Sequence, residues 1–206
     1  MITLYHSPFT RSHLIRFALE ELGLVHELRR IDVSKGEHKA PDYLEINPLG
    51  QLPALRDGDL TLREAAAIAL HLADRAPERG LAPALGSKER APYYQWIVFS
   101  MATEMLALSK IALHTQVLPE ALRVEAIAQA GRAEWLEVAR TLQLALRGKA
   151  YLLGDAFSMA DVLVGGSLWL ADFLGVLTAH RELCGYYARV RGRPAFQRAF
   201  ADAVAA

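Results

Sequence analysis

The chain has 206 residues, enough for one large domain or two small ones, with 23 basic and 23 acidic residues and a formal net charge of zero. That balance removes the broad attraction on which nucleic-acid and anionic-membrane binders depend, and a hydrophobic fraction of 52% lies well outside the disordered range. The single cysteine, Cys184, excludes an intramolecular disulfide framework and a cysteine-based zinc site, and fits a reducing, cytoplasmic setting.

The chain opens ITLYHSPFTRS, without a basic-then-apolar leader, and no 18-residue run is free of charge. Neither export nor a membrane span is expected. Residues 2–5 form a short β-prone run stopped by SPF. From Ser12, apolar residues at Leu14, Ile15, Ala18, Leu19 and Leu22 keep helical spacing, and Gly23 sits where a C-terminal cap belongs. Residues 25–33 return as a strand, the loop SKGEHKAPDY follows, and a short helix is expected around residues 43–46. NPLGQ is turn chemistry. Residues 53–55 and 60–62 flank Asp57-Gly58 as a hairpin, and helical periodicity resumes over residues 64–72.

This β-α-β-α-β-β-α order predicts a small mixed sheet with helices over residues 1–78. The stretch APERGLAPALG, residues 76–86, is rich in proline and glycine and reads as a connector. Everything beyond it is helical in pattern. A long helix is expected over residues 88–115, and a second from the neighbourhood of Pro119, tolerable in a first turn, to residue 147. Further helices are expected near residues 158–171, 179–191 and 194–205. An α/β domain is therefore followed by an all-α domain over residues 87–206.

Within the helical half, Ser158-Met159-Ala160-Asp161 is a capping box in its aspartate form, with Phe157 and Val162 at the positions of a hydrophobic staple. The seven histidines show no metal-ligand spacing, and no phosphate-binding glycine loop is present, so no metal is expected. Arg181, Arg189, Arg191, Arg193 and Arg198 are interspersed with apolar residues, as on solvated helix faces.

Four segments, in order, resemble the cytosolic glutathione transferase family along essentially the whole chain. LYHSPFTRSHLIRFALEELGL looks like its first strand, active-site loop and first helix. KGEHKAPDYLEINPLGQLPAL is similar to its glutathione-binding segment, especially in the plant-type and related bacterial branches, and LREAAAIALHLADR to the third helix of its thioredoxin-like domain. FSMADVLVGGSLW matches its second-domain capping-box helix. The resemblance implies a thioredoxin-like N-terminal domain and an all-helical C-terminal one. It implies glutathione as co-substrate without a further cofactor, and a cytoplasmic homodimer.

Carried over residue by residue, the resemblance implies a cis Leu52-Pro53 bond that leaves the Leu52 backbone free to pair with an extended tripeptide. Gln51 and the Ala65 amide would meet the γ-glutamyl carboxylate, Glu64 the ammonium group, and His38 and Lys39 the glycine carboxylate. Where the family usually carries serine or threonine, this chain has Ala65, so one hydrogen bond worth about 1.5–3 kcal/mol is missing. Lowering a thiol pKa of about 8.5 by about two units needs roughly 2.7 kcal/mol of thiolate stabilisation, which a hydroxyl donor at a helix N-terminus can supply. Counting back from Gly23 puts Thr10 at the position of the family's catalytic serine, with Ser12 the second candidate, Ser7 a further loop hydroxyl and Tyr5 a competing one. The register puts Arg11 where cysteine-type bacterial members carry cysteine, which disfavours exchange through the protein's own thiol.

The implied activity is conjugation of glutathione to a small apolar electrophile, contacted by Phe9, Phe99, Thr103 and Leu106. The rivals are a binding or scaffold protein with little turnover, and a glutathione-dependent peroxidase, isomerase or dehalogenase.

Overall fold

Strand β1 (Ile2–His6) sends Ile2, Leu4 and His6 to one face of its sheet, and Thr3 and Tyr5 to the other, by the period of two. In the computed structural model, which describes residues 1–204, β1 pairs in parallel with β2 (His26–Arg30). On its other side β1 pairs antiparallel with β3 (Ala54–Asp57), which pairs antiparallel with β4 (Leu60–Arg63). The strand order is β2-β1-β3-β4. The hairpin loop between paired Asp57 and Leu60 is Gly58-Asp59, one residue later than the expected turn, because Gly58 supplies the positive φ of 59° at its first position.

Helices α1 (Ser12–Leu22) and α3 (Ala65–Arg75) pack on each other. Leu4, Leu55, Ile15, Ile68 and Leu72 are fully buried. Gly23 closes α1 with φ 64°, as its position predicts. On the other side of β1, Tyr43 of α2 (Pro41–Ile46) meets Tyr5 edge-on at 5.8 Å, in a cluster with Ile31, Leu52 and Ala54. Tyr5 is thus a core aromatic.

Contacts divide the chain into two compact units: residues 1–81 together with the segment from Gly192 onward, and residues 82–191. By contacts, the helices from Gly192 onward group with the first unit and not with the helices of residues 82–191. Helical periodicity says that a segment is helical, not what it packs against. In the second unit, α4 (Arg90–Phe99) and α5 (Met105–Ala112) are joined by a π-helical turn at Ser100–Glu104, and a second π-helical turn follows at Leu113–Val117. This 28-residue stretch is apolar and long enough to cross a membrane by length and composition alone. Its Tyr93, Ile97, Ala107, Leu108 and Ile111 are fully buried inside the unit, as in a core helix.

The next helix, α6 (Glu125–Leu146), starts later than expected. Pro119 instead heads a short 3-10 turn at Glu120–Leu122, and the chain is extended at Val124 before the helix begins. At Gly131 a Cβ would lie 2.9 Å from the Ala107 carbonyl, so a glycine lets α5 and α6 approach closely. Helix α7 (Met159–Phe173) begins at the capping box, which is formed, and α8 (Arg181–Arg191) follows.

The chain then returns to the first unit as α9 (Pro194–Ala199) and α10 (Ala201–Val204). Phe196 and Phe200 stack at 4.1 Å, Phe196 meets Phe17 of α1 edge-on at 5.4 Å, and Phe200 stacks on His13 at 5.0 Å. Arg193 makes two hydrogen bonds to Glu21, at 2.6 and 2.8 Å, and Arg198 reaches Glu20 at 2.6 Å. Both arginines tie α9 to α1, Arg193 half-buried and Arg198 on the solvated face.

Candidate functional site

The strand register collects several loops at one end of the sheet. Tyr5 pairs with Ala54, Ala54 with Arg63, and His6 with Arg30. The end of β1, the start of β3 and the ends of β2 and β4 therefore lie level. From that end emerge the 7–11 loop, the loop carrying His38 and Lys39, the Gln51–Pro53 segment and the Glu64–Ala65 junction. Helices α1 and α3 both present their N-termini there, and a helix N-terminus favours a negative ligand.

Among the described residues, two that are not glycine carry positive φ, Phe9 at 58° and Glu64 at 69°, and both lie in these loops. Such backbone costs of order 1–3 kcal/mol and gathers at ligand sites. Glu64 is exposed and stands as the N-cap of α3, outside the helix, with Ala65 its first residue and 3% exposed. The Leu52-Pro53 bond is cis. Leu52 precedes the first paired residue of β3, so its backbone stands outside the sheet ladder. Tyr43 Oη and Asn47 Nδ2 both donate to the Gln51 carbonyl at 2.7 Å, holding its backbone while the residue stays exposed. Lys39 Nζ donates to the Leu49 carbonyl at 2.9 Å. Gly50, at φ 58°, leaves no room for a Cβ against the His38 carbonyl, so this loop and the 47–51 turn are packed together. His38 Nδ1 is buried with no hydrogen-bond partner among the described residues.

The two hydroxyl candidates occupy different environments. Thr10 is half-buried; its Oγ1 donates to the Ser7 carbonyl at 2.8 Å and accepts from the Ser12 amide at 3.3 Å. Ser12 is fully buried. Its Oγ lies 2.6 Å from Thr10 Oγ1, 2.8 Å from His6 Nδ1 and 3.1 Å from the Ser7 carbonyl, and accepts from the Ser7 amide at 3.2 Å. Ser12 therefore sits inside the helix rather than at its cap.

Sequence spacing missed the neighbours of Ser12. His6, fully buried, places Nε2 3.1 Å from Asp202 Oδ2 of α10, and Asp202 also meets Arg16 at 3.2 Å and Arg30 at 3.4 Å. His6, His13 and Asp202 bring ligand atoms within 4.8 Å of one another, metal-like spacing that no sequence motif displayed. The nitrogens are engaged instead by protein groups. His13 Nδ1 donates to the Ala199 carbonyl at 2.9 Å, and its Nε2 accepts from the Phe9 amide at 3.2 Å. Burial, with His6 and Arg16 nearby, pushes His13 down to about 4 and keeps the ring neutral. Burial also lowers His6, outweighing the pull of Asp202. Burial alone would raise the Asp202 carboxyl, but His6, His13 and Arg16 hold it below its ordinary value.

The residues expected to meet a second substrate are accessible in their own units. Phe9 is 47% and Leu106 52% exposed, Thr103 is exposed within the first π-helical turn, and Phe99 is half-buried. Such turns recur at functional sites. Cys184, in α8, is half-buried and donates to the Leu177 carbonyl at 3.5 Å.

Comparison with known proteins bears on this geometry. The model of the glutathione S-transferase N-terminal domain matches residues 1–74, and that of the C-terminal domain residues 101–194. The probable glutathione S-transferase GSTF2 of Oryza sativa subsp. japonica is 32% identical over 186 residues, spanning 87% of this chain and 86% of its own. The disulfide-bond oxidoreductase YfcG of Escherichia coli (strain K12) is 28% identical over 216 residues, spanning 98% and 96%. Among solved structures, the ternary complex of BphK, a bacterial GST, superposes with a TM-score of 0.88 at 32% identity, over 98% of this chain and 99% of that one.

Proposed function

Because the chain belongs to the glutathione transferase family of enzymes, we propose that it binds glutathione at the loop end of its sheet and adds the thiol to a small, apolar electrophile. The observation that carries this reading is the convergence there of the 7–11 loop, Leu52-Pro53 and Glu64–Ala65 with two helix N-termini. An extended tripeptide pairs with the Leu52 backbone, as an added strand would. Its γ-glutamyl carboxylate takes the Ala65 amide and Gln51, and its ammonium group takes the Glu64 carboxylate. His38 and Lys39 bind the glycine carboxylate, giving the orphan His38 nitrogen a place near the ligand.

Thr10 is the catalytic residue on this reading. Thr10 is half-buried at the start of α1, whereas Ser12 is fully buried with its hydroxyl held among Thr10, His6 and Ser7. Donation from Thr10, added to the field of the α1 N-terminus, lowers the thiol pKa and delivers thiolate near neutral pH. Phe9, Phe99, Thr103 and Leu106 are assigned to the electrophile. The working form is a cytoplasmic homodimer that uses glutathione as co-substrate in detoxification, with no further cofactor.

Calorimetric titration with glutathione and turnover of a chlorinated nitroaromatic test the proposal. Binding with conjugation supports it. Binding without turnover on a panel of electrophiles, peroxides and disulfides favours the binding-protein reading, to which the missing hydroxyl at Ala65 lends weight.

A further inference from the structure

The mechanism above leaves unused a buried hydroxyl, a buried imidazole and the carboxylate that holds it. Thr10 Oγ1, Ser12 Oγ, His6 Nδ1 and, across the ring, His6 Nε2 and Asp202 Oδ2 form one unbroken chain with spacings of 2.6, 2.8 and 3.1 Å. Its outer end is the hydroxyl of half-buried Thr10, assigned to the sulfur, and it runs through the fully buried His6 ring to half-buried Asp202. Hydroxyl, imidazole and carboxylate in series are the parts of a proton acceptor.

The chain has two polarities, and His6 sets which one is present. Asp202 faces Nε2, so that nitrogen carries a hydrogen in either state. With His6 neutral, Nδ1 is an acceptor to which Ser12 can donate, and Thr10 can then donate to Ser12 in place of the Ser7 carbonyl. Thr10 then offers a lone pair, not a hydrogen, to an incoming thiol. Thr10 can donate outward when Ser12 donates to it, the arrangement that Nδ1–H, an imidazolium, favours, or when Ser12 turns its hydrogen to the Ser7 carbonyl. The Ser7 carbonyl, 2.8 Å from Thr10 Oγ1 and 3.1 Å from Ser12 Oγ, is the competing acceptor for both hydroxyls. The charged or titratable groups around His6 are His13 and Arg16 of α1, Arg30 of β2 and Asp202 of α10.

We propose that Ser12, His6 and Asp202 are positioning residues that form a proton relay, carrying the thiol proton of bound glutathione inward from Thr10 to His6. The S–H bond breaks and its proton joins Thr10 Oγ. The Thr10 proton passes to Ser12 Oγ, and the Ser12 proton to His6 Nδ1. The products are a thiolate that accepts from Thr10 and an imidazolium whose charge Asp202 supports against the burial that opposes it. After the sulfur–carbon bond forms, reversal of the chain returns the proton to the leaving group or to solvent. The relay rests on the glutathione reading proposed above.

The test uses the full-length protein saturated with glutathione, with thiolate ultraviolet absorbance and kcat/KM for the chlorinated nitroaromatic followed against pH. His6→Asn keeps a partner for Ser12 but cannot hold the proton. It should raise the bound-thiol pKa by about one unit and lower kcat/KM near neutral pH about tenfold, with the loss recovered at high pH and glutathione affinity unchanged. Asp202→Asn should move the profile the same way by less. Folded variants with the wild-type profile overturn the relay and leave the functional reading standing. A wild type that binds no glutathione overturns that reading, and the relay with it. Should both variants misfold, a proton inventory of thiol ionisation in wild type decides: a curved dependence on deuterium fraction supports several protons in flight, and a linear one overturns the relay.

Discussion

Replacing Asp161 should damage the second unit far more than a helix cap normally would. An N-cap substitution typically costs about 1 kcal/mol. Here Asp161 is fully buried and its carboxylate accepts four hydrogen bonds: from the Leu152 amide at 2.9 Å, the Ser158 amide at 2.9 Å, Ser158 Oγ at 2.8 Å and Tyr186 Oη at 2.8 Å. Asp161→Ala leaves the Leu152 amide, the Tyr186 hydroxyl and the Ser158 amide buried without an acceptor, and each such group costs about 1–3 kcal/mol. Shared relaxation makes the costs sub-additive, so the expected loss is about 4 kcal/mol. Tyr186→Phe removes one donor and leaves three, and should cost only about 1 kcal/mol. Urea unfolding followed by circular dichroism measures both. At about 2–4 °C per kcal/mol for a chain of this length, Asp161→Ala should lower Tm by about 8–16 °C. A loss below about 1.5 kcal/mol would refute the argument, since it would mean that the four bonds do no more than an exposed cap.

Glu64→Ala should weaken glutathione binding about tenfold or more in a calorimetric titration while leaving the unfolding midpoint nearly unchanged, because Glu64 is exposed. Glu104, fully buried at the first π-helical turn, is pushed well above its ordinary value by burial, against the weaker pull of Ser100. The folded protein keeps a proton there that the unfolded chain releases above about pH 4.5, so this group's contribution falls as pH rises from that value. Glu104→Gln should therefore raise the unfolding midpoint more at pH 8 than at pH 5, and an equal effect at both would contradict it. Gly165→Ala should destabilise the second unit, since its Cβ would lie 2.7 Å from Val190 and 3.0 Å from the Tyr186 hydroxyl, and a melting curve matching wild type would refute that clash.

Much of the first unit could be read from local pattern because its chemistry is local. Helical spacing from Ser12 and the glycine at 23 delimit α1 as the structure has it; in the second unit the Ser158–Asp161 box, equally local, marks the start of α7. The start of α6 was misplaced because Val124 makes no side-chain cap and gives no signal, while Pro119 gives a misleading one. The positive φ values of Phe9 and Glu64 were invisible because neither is glycine. His6 is the instructive omission. Its ring meets a residue 196 positions away, and no spacing rule reaches that far. One hint was present: with Ile2 and Leu4 on the same face, a histidine at the third inward position is a polar group aimed at a core.

The titration of bound glutathione in wild type and Thr10→Val tests the central claim most directly. Valine nearly preserves the shape of threonine and removes its hydroxyl. Thiolate absorbance of the wild-type complex should titrate well below the free thiol's pKa of about 8.5, and Thr10→Val should move that titration upward by about one unit or more, with turnover near neutral pH falling about tenfold and partly recovering as pH rises. A wild-type complex whose thiol titrates like free glutathione, or a Thr10→Val complex that titrates like wild type, would contradict the account.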